Sequence, residues 1–264
     1  MRLSLIVVHH NAHEYLRACL RSVQKAGAEL LTETIVVDNA SQGMAALPEE
    51  HPEAVWLFNK ENLGWGAAIN QGAAKSHGEV LVFLNPDAEL LPDALQKLQD
   101  FFTHRKDERL GPVGGKLLFS DGTVQPSCGP FPDLFSMLWR RLFLPPIRRK
   151  NYFRLPEKEA CPVDWVSGAF MAVRRAVFEE MGGFDKDFFL YYEDVDLCMR
   201  AARKGYTARY LPEARAFHHH PHAARTAPDP RLQRIIQDSR GRYFRKHRPA
   251  WESWALSGLH YMES

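Results

Sequence analysis

The sequence has few cysteines and no long apolar run, and both absences limit what the protein can be. The cysteines are Cys19, Cys128, Cys161 and Cys198. None stands in a C-x-x-C motif, so neither a disulfide framework nor a zinc knuckle is predicted, and a reducing compartment is expected. No stretch approaches the ~20 apolar residues that span a bilayer, and the run at residues 3–8 is too short for the core of a signal peptide. We therefore expect a cytoplasmic protein that is soluble or peripheral.

A strong charge of either sign is also lacking. The 34 Lys and Arg residues against 32 Asp and Glu residues leave a formal net charge of +2, which gives no reason to expect nucleic acid as a partner. The charge is uneven, because residues 134–154 contain basic side chains and no acidic one, and residues 240–248 are similarly basic. We predict a mobile basic and aromatic loop at 134–154.

Two nucleotide-binding motifs are missing as well. A Rossmann dehydrogenase needs G-x-G-x-x-G directly after its first strand, whereas residues 9–13 read His-His-Asn-Ala-His. No G-x-x-x-x-G-K-[ST] segment occurs either, which excludes a P-loop enzyme. What is present is an ordinary globular composition, 45% apolar over 264 residues, sufficient for one large α/β domain or two small ones.

Four short apolar runs predict the strands of a parallel sheet. They lie at residues 3–8, 34–37, 55–58 and 80–84, and each is followed by His, Asn or Asp side chains. Because the runs alternate with helical segments, we predict parallel βαβ units, with the polar side chains along one edge of the sheet. Helices are predicted to begin in a capping box at residues 11–14 and at Pro92.

The fourth run ends in Asn85, Pro86 and Asp87, which provide the first candidate for chemistry. An uninterrupted run of this length is typical of a strand buried on both faces, so the charge of Asp87 is expected at the carboxyl edge of the sheet, where open α/β folds bind ligands. We hypothesise that Asp87 holds a divalent metal ion against a diphosphate. An Asp that only caps a turn is the alternative.

The second candidate lies where an aromatic segment, residues 188–192, leads into a helix predicted to run to about Lys204. Three carboxylates, Glu193, Asp194 and Asp196, occupy the first turn of that helix. The aromatic neighbours indicate a partly buried wall, where neighbouring carboxylates raise one another's pKa. First-turn acids that only interact with the helix dipole are the alternative.

Several motifs in order resemble the family 2 inverting glycosyltransferases, and within them the bacterial rhamnosyltransferase-like branch. They are Val-Asp-Asn-Ala-Ser at residues 37–41, Asn-Leu-Gly-Trp-Gly at 62–66, Leu-Asn-Pro-Asp at 84–87, Trp-Val-Ser-Gly-Ala-Phe at 165–170, Gly-Gly-Phe-Asp at 182–185 and Tyr-Glu-Asp-Val-Asp-Leu at 192–197. The resemblance spans residues 2–248. It implies an α/β GT-A fold, with a Rossmann-like, mostly parallel central sheet flanked by helices and an acceptor-binding C-terminal half.

The same resemblance implies a division of the chain. We expect a glycosyltransferase domain at residues 1–215, with its donor half at about 1–110 and its acceptor half at about 111–215. A His-containing, basic and aromatic helical extension is expected at residues 216–264.

Roles for individual residues follow from the resemblance. The donor, a nucleoside-diphosphate sugar, is expected to contact Val8, His10, Asp38, Asn39, Asn62, Gly64, Asn70, Asn85, Pro86 and Asp87. Residues 85–87 stand where the family has its D-x-D triad, with Asn in place of the first Asp. Glu193 and Asp194 match the family's catalytic acidic pair, with Asp194 as the base. Trp165, Ser167 and Gly168 are expected where acceptor and sugar meet.

The chemistry of sugar transfer agrees with these roles. Mg²⁺ or Mn²⁺ at Asp87 would neutralise the leaving diphosphate, and one base would remove the proton from the acceptor, a glycan or lipid-linked hydroxyl. One displacement with one base inverts the anomeric centre. The run His-His-His-Pro-His at 218–222 does not distinguish its histidines by spacing, and the resemblance favours His218 as a second metal or diphosphate contact. Clustered surface histidines without chemistry are the alternative.

Rival functions and partners stay open on the sequence. The cations of residues 239–248, with Trp251 and Trp254, are suited to anionic headgroups on the inner face of the cell membrane or to a lipid-linked acceptor, and a solvated face is the alternative. A glycoside hydrolase would need two carboxylates across one bond and no nucleotide pocket. The alternative function is a catalytically inactive member of the same fold that binds a nucleotide sugar or glycan. Rhamnose as the donor sugar is suggested only by the branch that the chain resembles.

Overall fold

The computed structural model describes residues 1–43, 47–105, 107–142, 156, 159–219 and 229–261. The strands are β1 Leu3–His9, β2 Leu31–Asp38, β3 Val55–Phe58, β4 Val80–Leu84, β5 Ala88–Leu90, β6 Leu110–Leu118, β7 Val124–Gln125, β8 Cys128–Gly129, β9 Cys161–Val163, β10 Trp165–Val166, β11 Phe170–Arg174 and β12 Thr207–His218. The helices are α1 His13–Lys25, α2 Leu47–Glu50, α3 Trp65–Lys75, α4 Ala94–His104, α5 Leu134–Leu142, α6 Arg175–Glu180, α7 Glu193–Arg203, α8 Pro230–His247 and α9 Ala250–Tyr261.

The central sheet has the order β3-β2-β1-β4-β11-β6-β12-β5. Strand β1 pairs in parallel with β2 and β4, β2 pairs in parallel with β3, and β6 pairs in parallel with β12. Strand β11 runs antiparallel to its neighbours β4 and β6, and β5 runs antiparallel to β12 at the end of this order. The predicted α/β class with a mostly parallel sheet is confirmed.

Strand β4 is buried along its whole length because helices cover both faces of the sheet. Its Val80, Val82 and Leu84 pack in the cluster that also contains residues of α1 and α4, whereas Leu81 and Phe83 pack in the cluster that contains residues of α3 and α7. A side chain on a strand alternates between the two faces, so a charge within β4 would be buried on either side. The carboxylate of Asp87 therefore comes only after the strand has ended.

Three local predictions are wrong. Helix α1 has Ala12 at its N-cap without a side-chain cap, because Asn11 takes a positive φ of 53° and its Oδ1 accepts from Gln42 N instead. Helix α4 starts at Ala94, so Pro92 precedes the cap residue Asp93 and is not the first residue of the helix. Residues 134–142 form helix α5 and not a loop, while residues 143–154 of the predicted loop lie outside the described residues.

Helices α5, α7, α8 and α9 share a third cluster of buried side chains. Its members are Leu134, Phe188, Val195, Tyr243, Phe244 and Leu256, with Trp165 and Tyr192 packed against it. The C-terminal helices are thereby attached to the first turn of α7. Within the described part of the chain, none of the helices is both long enough and apolar enough to cross a membrane.

Candidate active site

Three segments meet beyond the end of β4. The backbone N–H of Asn85 donates to Ala169 O at 3.0 Å, and the N–H of the neighbouring Gly168 donates to Asp194 Oδ2 at 3.0 Å. The turn that contains Asp87 and the first turn of α7 are therefore connected through a single segment, residues 168–169. Two acids that are more than 100 residues apart in the sequence come to the same edge of the sheet.

The pKa of Tyr191 responds to the negative charges of these acids. Burial, followed by the negative charges of Glu193, Asp87 and Asp194, raises the pKa of the Tyr191 hydroxyl to about 12. Because a charge influences a pKa only over a limited distance, this shift agrees with Asp87 and Asp194 lying at the same edge of the sheet as Tyr191. Tyr191 is absent from the residues predicted from the sequence.

Asp87 is paired with His218. The two side chains are nearly buried, and His218 Nε2 lies 3.3 Å from Asp87 Oδ1. The end of β12 is held beside the turn after β4 because His219 N donates to Asp87 O at 3.0 Å. Strand alternation separates the two histidines, since His219 Nε2 lies 2.7 Å from Glu89 Oε1. The structure thus brings the side chain of His218, and not that of His219, to the Asp87 carboxylate; His220 and His222 lie outside the described residues.

The Asp87–His218 pair fits a divalent cation that is bound together with a substrate. One carboxylate oxygen and one imidazole nitrogen 3.3 Å apart have the separation expected of neighbouring ligands with bonds of roughly 2.0–2.5 Å. No cluster of three or more His, Cys, Asp or Glu side chains suited to a metal occurs in the described ranges. Ions such as Mg²⁺ commonly take only one or two carboxylates and complete their shell with phosphate oxygens and water.

The first two acids of α7 have raised pKa values, and burial is the largest cause for both; a neighbouring carboxylate adds to the rise, as predicted, for Glu193. Burial raises the pKa of Asp194, although the backbone N–H groups of Gly168 and Val195 oppose the shift by donating to its carboxylate. Glu193 is 6% exposed, and burial and then the charge of Asp194 raise its pKa well above the usual range. Its Oε2 has no hydrogen-bond partner among the described residues. A base with a raised pKa at this edge is equipped to take a proton near neutral pH.

Asp196 behaves in the opposite way, and the predicted mutual rise is wrong for it. Its buried carboxylate lies 2.6 Å from His247 Nε2, 2.7 Å from Lys246 Nζ and 2.7 Å from Arg200 Nε. Burial alone would raise the pKa, but the His247 hydrogen bond and the charges of Arg200 and Lys246 lower it to about 2. Asp196 therefore connects α7 to α8 and is not available as a base.

The Gly-rich turn before α3 packs directly on the aromatic segment before α7. Gly64 has a φ of 86°, and a Cβ there would lie 2.5 Å from Phe189 O, the same oxygen that accepts from Trp65 N at 2.9 Å. The Trp65 ring covers Gly168, where a Cβ would lie 2.7 Å from it. Only glycine allows both approaches. Trp65 thus packs against Gly168, whose N–H donates to Asp194. In the sequence, the only sign of this role is that Trp65 stands between two glycines.

Three predicted donor contacts have their side-chain amides in internal hydrogen bonds. Asn39 Nδ2 donates to Asn62 Oδ1 at 2.8 Å, and that oxygen also accepts from Gly64 N at 3.0 Å. The Asn70 amide donates to Phe184 O and accepts from Phe184 N, at 2.8 and 2.9 Å. These residues hold the loops at this edge of the sheet in place, and direct contact with a donor remains a prediction for each.

The remaining predicted donor residues lie at the ends of β1 and β2. Val8 and Asp38 are buried, and both carboxylate oxygens of Asp38 face Ser41 N. His10 Nδ1 lies 2.9 Å from Asn39 O. The neighbouring His9 is buried, and this burial lowers its pKa to about 4, so the ring is neutral at physiological pH.

The predicted acceptor residues surround the segment that binds Asp194. Trp165 Nε1 donates to Pro130 O at 2.9 Å, which leaves the half-buried ring beside the third cluster. Ser167 N donates to Ser127 O at 2.7 Å, and its hydroxyl accepts from Ala169 N at 3.3 Å. These contacts order residues 165–169 before any ligand is present, and contact with an acceptor remains a prediction.

Comparison with known proteins was made on sequence and on structure. A sequence profile described as Glycosyl transferase family 2 matches residues 4–182. The N-acetylglucosaminyl-diphospho-decaprenol L-rhamnosyltransferase of Mycobacterium tuberculosis is 29% identical over 250 residues, covering 86% of this chain and 78% of the relative. The rhamnosyltransferase WbbL of Escherichia coli (strain K12) is 25% identical over 234 residues, covering 84% of this chain and 85% of the relative.

Solved structures with the same fold include two that were determined with nucleotides and Mn²⁺. The mannosyltransferase PcManGT of Pyrobaculum calidifontis, in complex with GDP-Man and Mn²⁺, has a TM-score of 0.62 at 19% identity and covers 98% of this chain and 69% of its own. GalNAc-T7 with UDP, GalNAc and Mn²⁺ has a TM-score of 0.65 at 18% identity over 90% of this chain, which spans about half (48%) of GalNAc-T7. The predicted GT-A fold is confirmed, and the profile match over more than half of the sequence places this chain in glycosyltransferase family 2.

Proposed function

We propose that this glycosyltransferase moves a sugar from a nucleoside-diphosphate sugar to a hydroxyl of a glycan or lipid-linked acceptor, with inversion at the anomeric carbon. The observation that carries the proposal is the pair of backbone hydrogen bonds, Asn85 N to Ala169 O and Gly168 N to Asp194 Oδ2, that brings the turn containing Asp87 and the carboxylate of Asp194 to one edge of the sheet. Rhamnose is the proposed sugar because the two relatives described above are rhamnosyltransferases.

Asp194 is the proposed base. Its Oδ2 is oriented by Gly168 N–H and its Oδ1 by Val195 N–H, so the carboxylate is held in one direction before the acceptor binds. Its raised pKa strengthens it as a proton acceptor for the attacking hydroxyl. One base and one displacement account for inversion without a covalent intermediate.

Asp87 and His218 are the proposed contacts for a divalent cation and the donor diphosphate. A bound Mg²⁺ or Mn²⁺ would neutralise the charge that grows on the diphosphate as the sugar leaves. Asp87 would contribute a carboxylate oxygen and His218 a ring nitrogen. The nucleoside is proposed to lie toward Asp38, at the end of β2.

Metal dependence can be measured without turnover. We expect Mn²⁺ to tighten the binding of UDP or dTDP, measured by calorimetry, and EDTA to remove the effect. In Asp87→Asn we expect the Mn²⁺-dependent gain to fall by at least ~10-fold, because a charged oxygen ligand is replaced by a neutral one. Glu89→Gln is the matched control, since it removes one negative charge from the neighbouring strand, on the side of His219. Equal nucleotide affinity with and without Mn²⁺ would contradict the metal role.

A test of turnover separates the alternative function. Release of nucleoside diphosphate from dTDP-rhamnose in the presence of a polyprenyl-diphosphate GlcNAc acceptor is expected for the transferase. Nucleotide binding that is never followed by transfer, over a panel of nucleotide sugars and acceptors, would instead support the inactive binder.

We also propose that the C-terminal helices contact an anionic membrane that carries the acceptor. Trp251 and Trp254 of α9 are 63% and 84% exposed, and Phe135 of α5 is exposed nearby, since Leu134 N donates to Glu252 Oε2. Trp and cations together favour the interface of an anionic bilayer. Several predicted cations are used elsewhere, because Lys246, Arg242 and Arg248 pair with Asp185, Asp187 and Glu252. Arg231, Arg234 and Arg245 are exposed cations of α8 as well.

Co-sedimentation with vesicles tests this contact. We expect binding to vesicles that contain phosphatidylglycerol, weaker binding at high salt and a loss of most binding in Trp251→Ala/Trp254→Ala. The exposed Phe58 of β3, at an edge of the sheet, serves as the control in Phe58→Ala. Binding that is the same in the double variant and the native protein would overturn the proposed surface.

A further inference from the structure

Both ring nitrogens of His218 have polar neighbours, and the neighbour of Nδ1 has no part in the proposed function. His218 Nδ1 lies 3.1 Å from Oε1 of Gln125, a buried residue of β7. An amide oxygen only accepts hydrogen bonds, so Nδ1 carries the proton in this contact. In a neutral imidazole the lone pair is then on Nε2, the nitrogen that faces Asp87.

A second amide agrees with this arrangement. Asn85 Nδ2 lies 3.3 Å from His218 Nε2, and an amide N–H donates to a nitrogen that bears a lone pair. A carboxylate at position 85 could only accept, and it would favour a proton on Nε2. The Asn that replaces the first Asp of the expected triad is therefore suited to the same tautomer as Gln125.

The position of Gln125 is set by a hairpin. Strand β7 pairs with β6 through Gln125 and Leu117, and β6 pairs with β12 through Leu117 and Ala216. The turn of the hairpin is closed by Phe119 N, which donates to Thr123 O at 2.8 Å. The side chain of Gln125 thus extends across β6 to the ring of His218, which lies two residues after Ala216 in β12. The backbones of β7 and β12 are both hydrogen-bonded to β6.

We propose that Gln125 is a positioning residue that holds His218 as the neutral Nδ1–H tautomer, with the Nε2 lone pair beside Asp87 Oδ1. The proposal rests on the proposed function, in which that pair contacts a divalent cation and the donor diphosphate. Two lone pairs 3.3 Å apart repel each other unless a positive charge lies close to both. Between the two neutral tautomers, Gln125 therefore favours the one whose Nε2 can bind a cation over the Nε2–H tautomer, which would donate to Asp87. Such partners behind a metal-binding His typically change metal affinity by ~10–100-fold.

The tautomer is measurable in the metal-free protein. In protein labelled with ¹⁵N-histidine at pH 8, we expect the His218 signals, identified by their loss in His218→Gln, to show a protonated Nδ1 and an unprotonated Nε2. Gln125→Met keeps the length of the side chain without the acceptor and is expected to lose this preference. Gln125→Glu keeps an acceptor and is expected to retain it. An Nε2–H tautomer in the native protein would overturn the proposal, as would an unchanged tautomer in Gln125→Met.

Mn²⁺ affinity provides the second readout. By electron paramagnetic resonance with saturating pyrophosphate, we expect Gln125→Met to bind Mn²⁺ ~10–100-fold more weakly than the native protein and Gln125→Glu to bind within a few-fold of it. Equal affinity in Gln125→Met overturns the role of Gln125 and leaves the metal proposal intact. Absence of Mn²⁺ binding in the native protein defeats the metal proposal itself. If Gln125→Met does not fold, the tautomer of the native protein and the tautomer and Mn²⁺ affinity of Gln125→Glu still test the proposal.

Discussion

Asp194→Asn is expected to lower kcat by ~10²–10⁴-fold with little change in nucleotide affinity, because the variant keeps the shape of the side chain and loses the proton acceptor. The contacts of Asp194 support an effect on turnover without one on nucleotide binding. Its oxygens accept from Gly168 N and Val195 N, and neither of these residues is predicted to contact the nucleobase or the diphosphate of the donor. Single-turnover transfer and calorimetric binding of UDP or dTDP measure the two quantities.

Asp187→Asn is the matched control for Asp194→Asn. Asp187 lies in the segment just before α7, is exposed, and pairs only with Arg242 among the ion pairs of the described chain. The control is expected to keep near-native turnover. Undiminished transfer in Asp194→Asn would show that another group takes the proton.

The pH dependence of turnover follows from the raised pKa of Asp194. The carboxylate must be ionised to act as a base, and burial keeps it protonated to a higher pH than the ~3.9 of an ordinary Asp. The value of kcat/KM is therefore expected to fall as the pH drops through this raised pKa, and not at the ordinary one. The acid limb should be missing from the residual activity of Asp194→Asn. An acid limb at the ordinary Asp value would contradict the assignment.

Asp196→Ala is expected to cost about 3–5 kcal/mol of unfolding free energy, the largest stability effect that the structure predicts. The carboxylate is fully buried, and its removal leaves His247, Lys246 and Arg200 without their common anion. Removing one partner of a buried charge pair has this magnitude because the remaining charge stays desolvated. Urea denaturation of the two proteins measures the difference.

The pH dependence of stability separates this ion cluster from simple packing. The pKa of Asp196 is lowered to about 2 in the folded protein, so its contribution to the free energy of unfolding is complete above the ordinary value of ~3.9 and is lost as the pH falls through about 2.

Asp187→Ala is the control for Asp196→Ala: it removes an exposed carboxylate and is expected to cost under ~1 kcal/mol of unfolding free energy. A loss in Asp196→Ala as small as in this control would show that the cluster does not connect α7 to α8.

Much of the framework of the site was predictable from local sequence. The apolar run of β4 followed by Asn-Pro-Asp predicts a buried strand that releases Asp87 at the carboxyl edge, and the structure has this strand at Val80–Leu84. The first-turn acids of α7 were predictable for the same reason, since the aromatic segment and the helix after it are both encoded within a few residues. Periodicity and turn residues act over short distances along the chain, which is why these elements follow from the sequence.

Local pattern did not predict which polar groups pair. Asn11 stands at the start of a capping-box sequence, but its Oδ1 accepts a hydrogen bond from Gln42 N, in the loop after β2. Helix α1 therefore starts without a side-chain cap. Asp196 has the same local surroundings as Glu193 and Asp194, but Lys246 and His247 from α8 lower its pKa to about 2 while theirs rise. In each case a residue distant in sequence supplies the deciding partner.

The sequence by itself determined the first four strands, the polar side chains that follow them and the family to which these motifs belong. Only the tertiary structure decided that Asp87 and Asp194 share one edge, that His218 faces Asp87 while His219 faces Glu89, and that Gln125 lies behind His218. The reason is physical: backbone preference and hydrophobic period are properties of neighbouring residues, whereas the pKa and the hydrogen bonds of a side chain depend on what the fold places within a few ångströms of it.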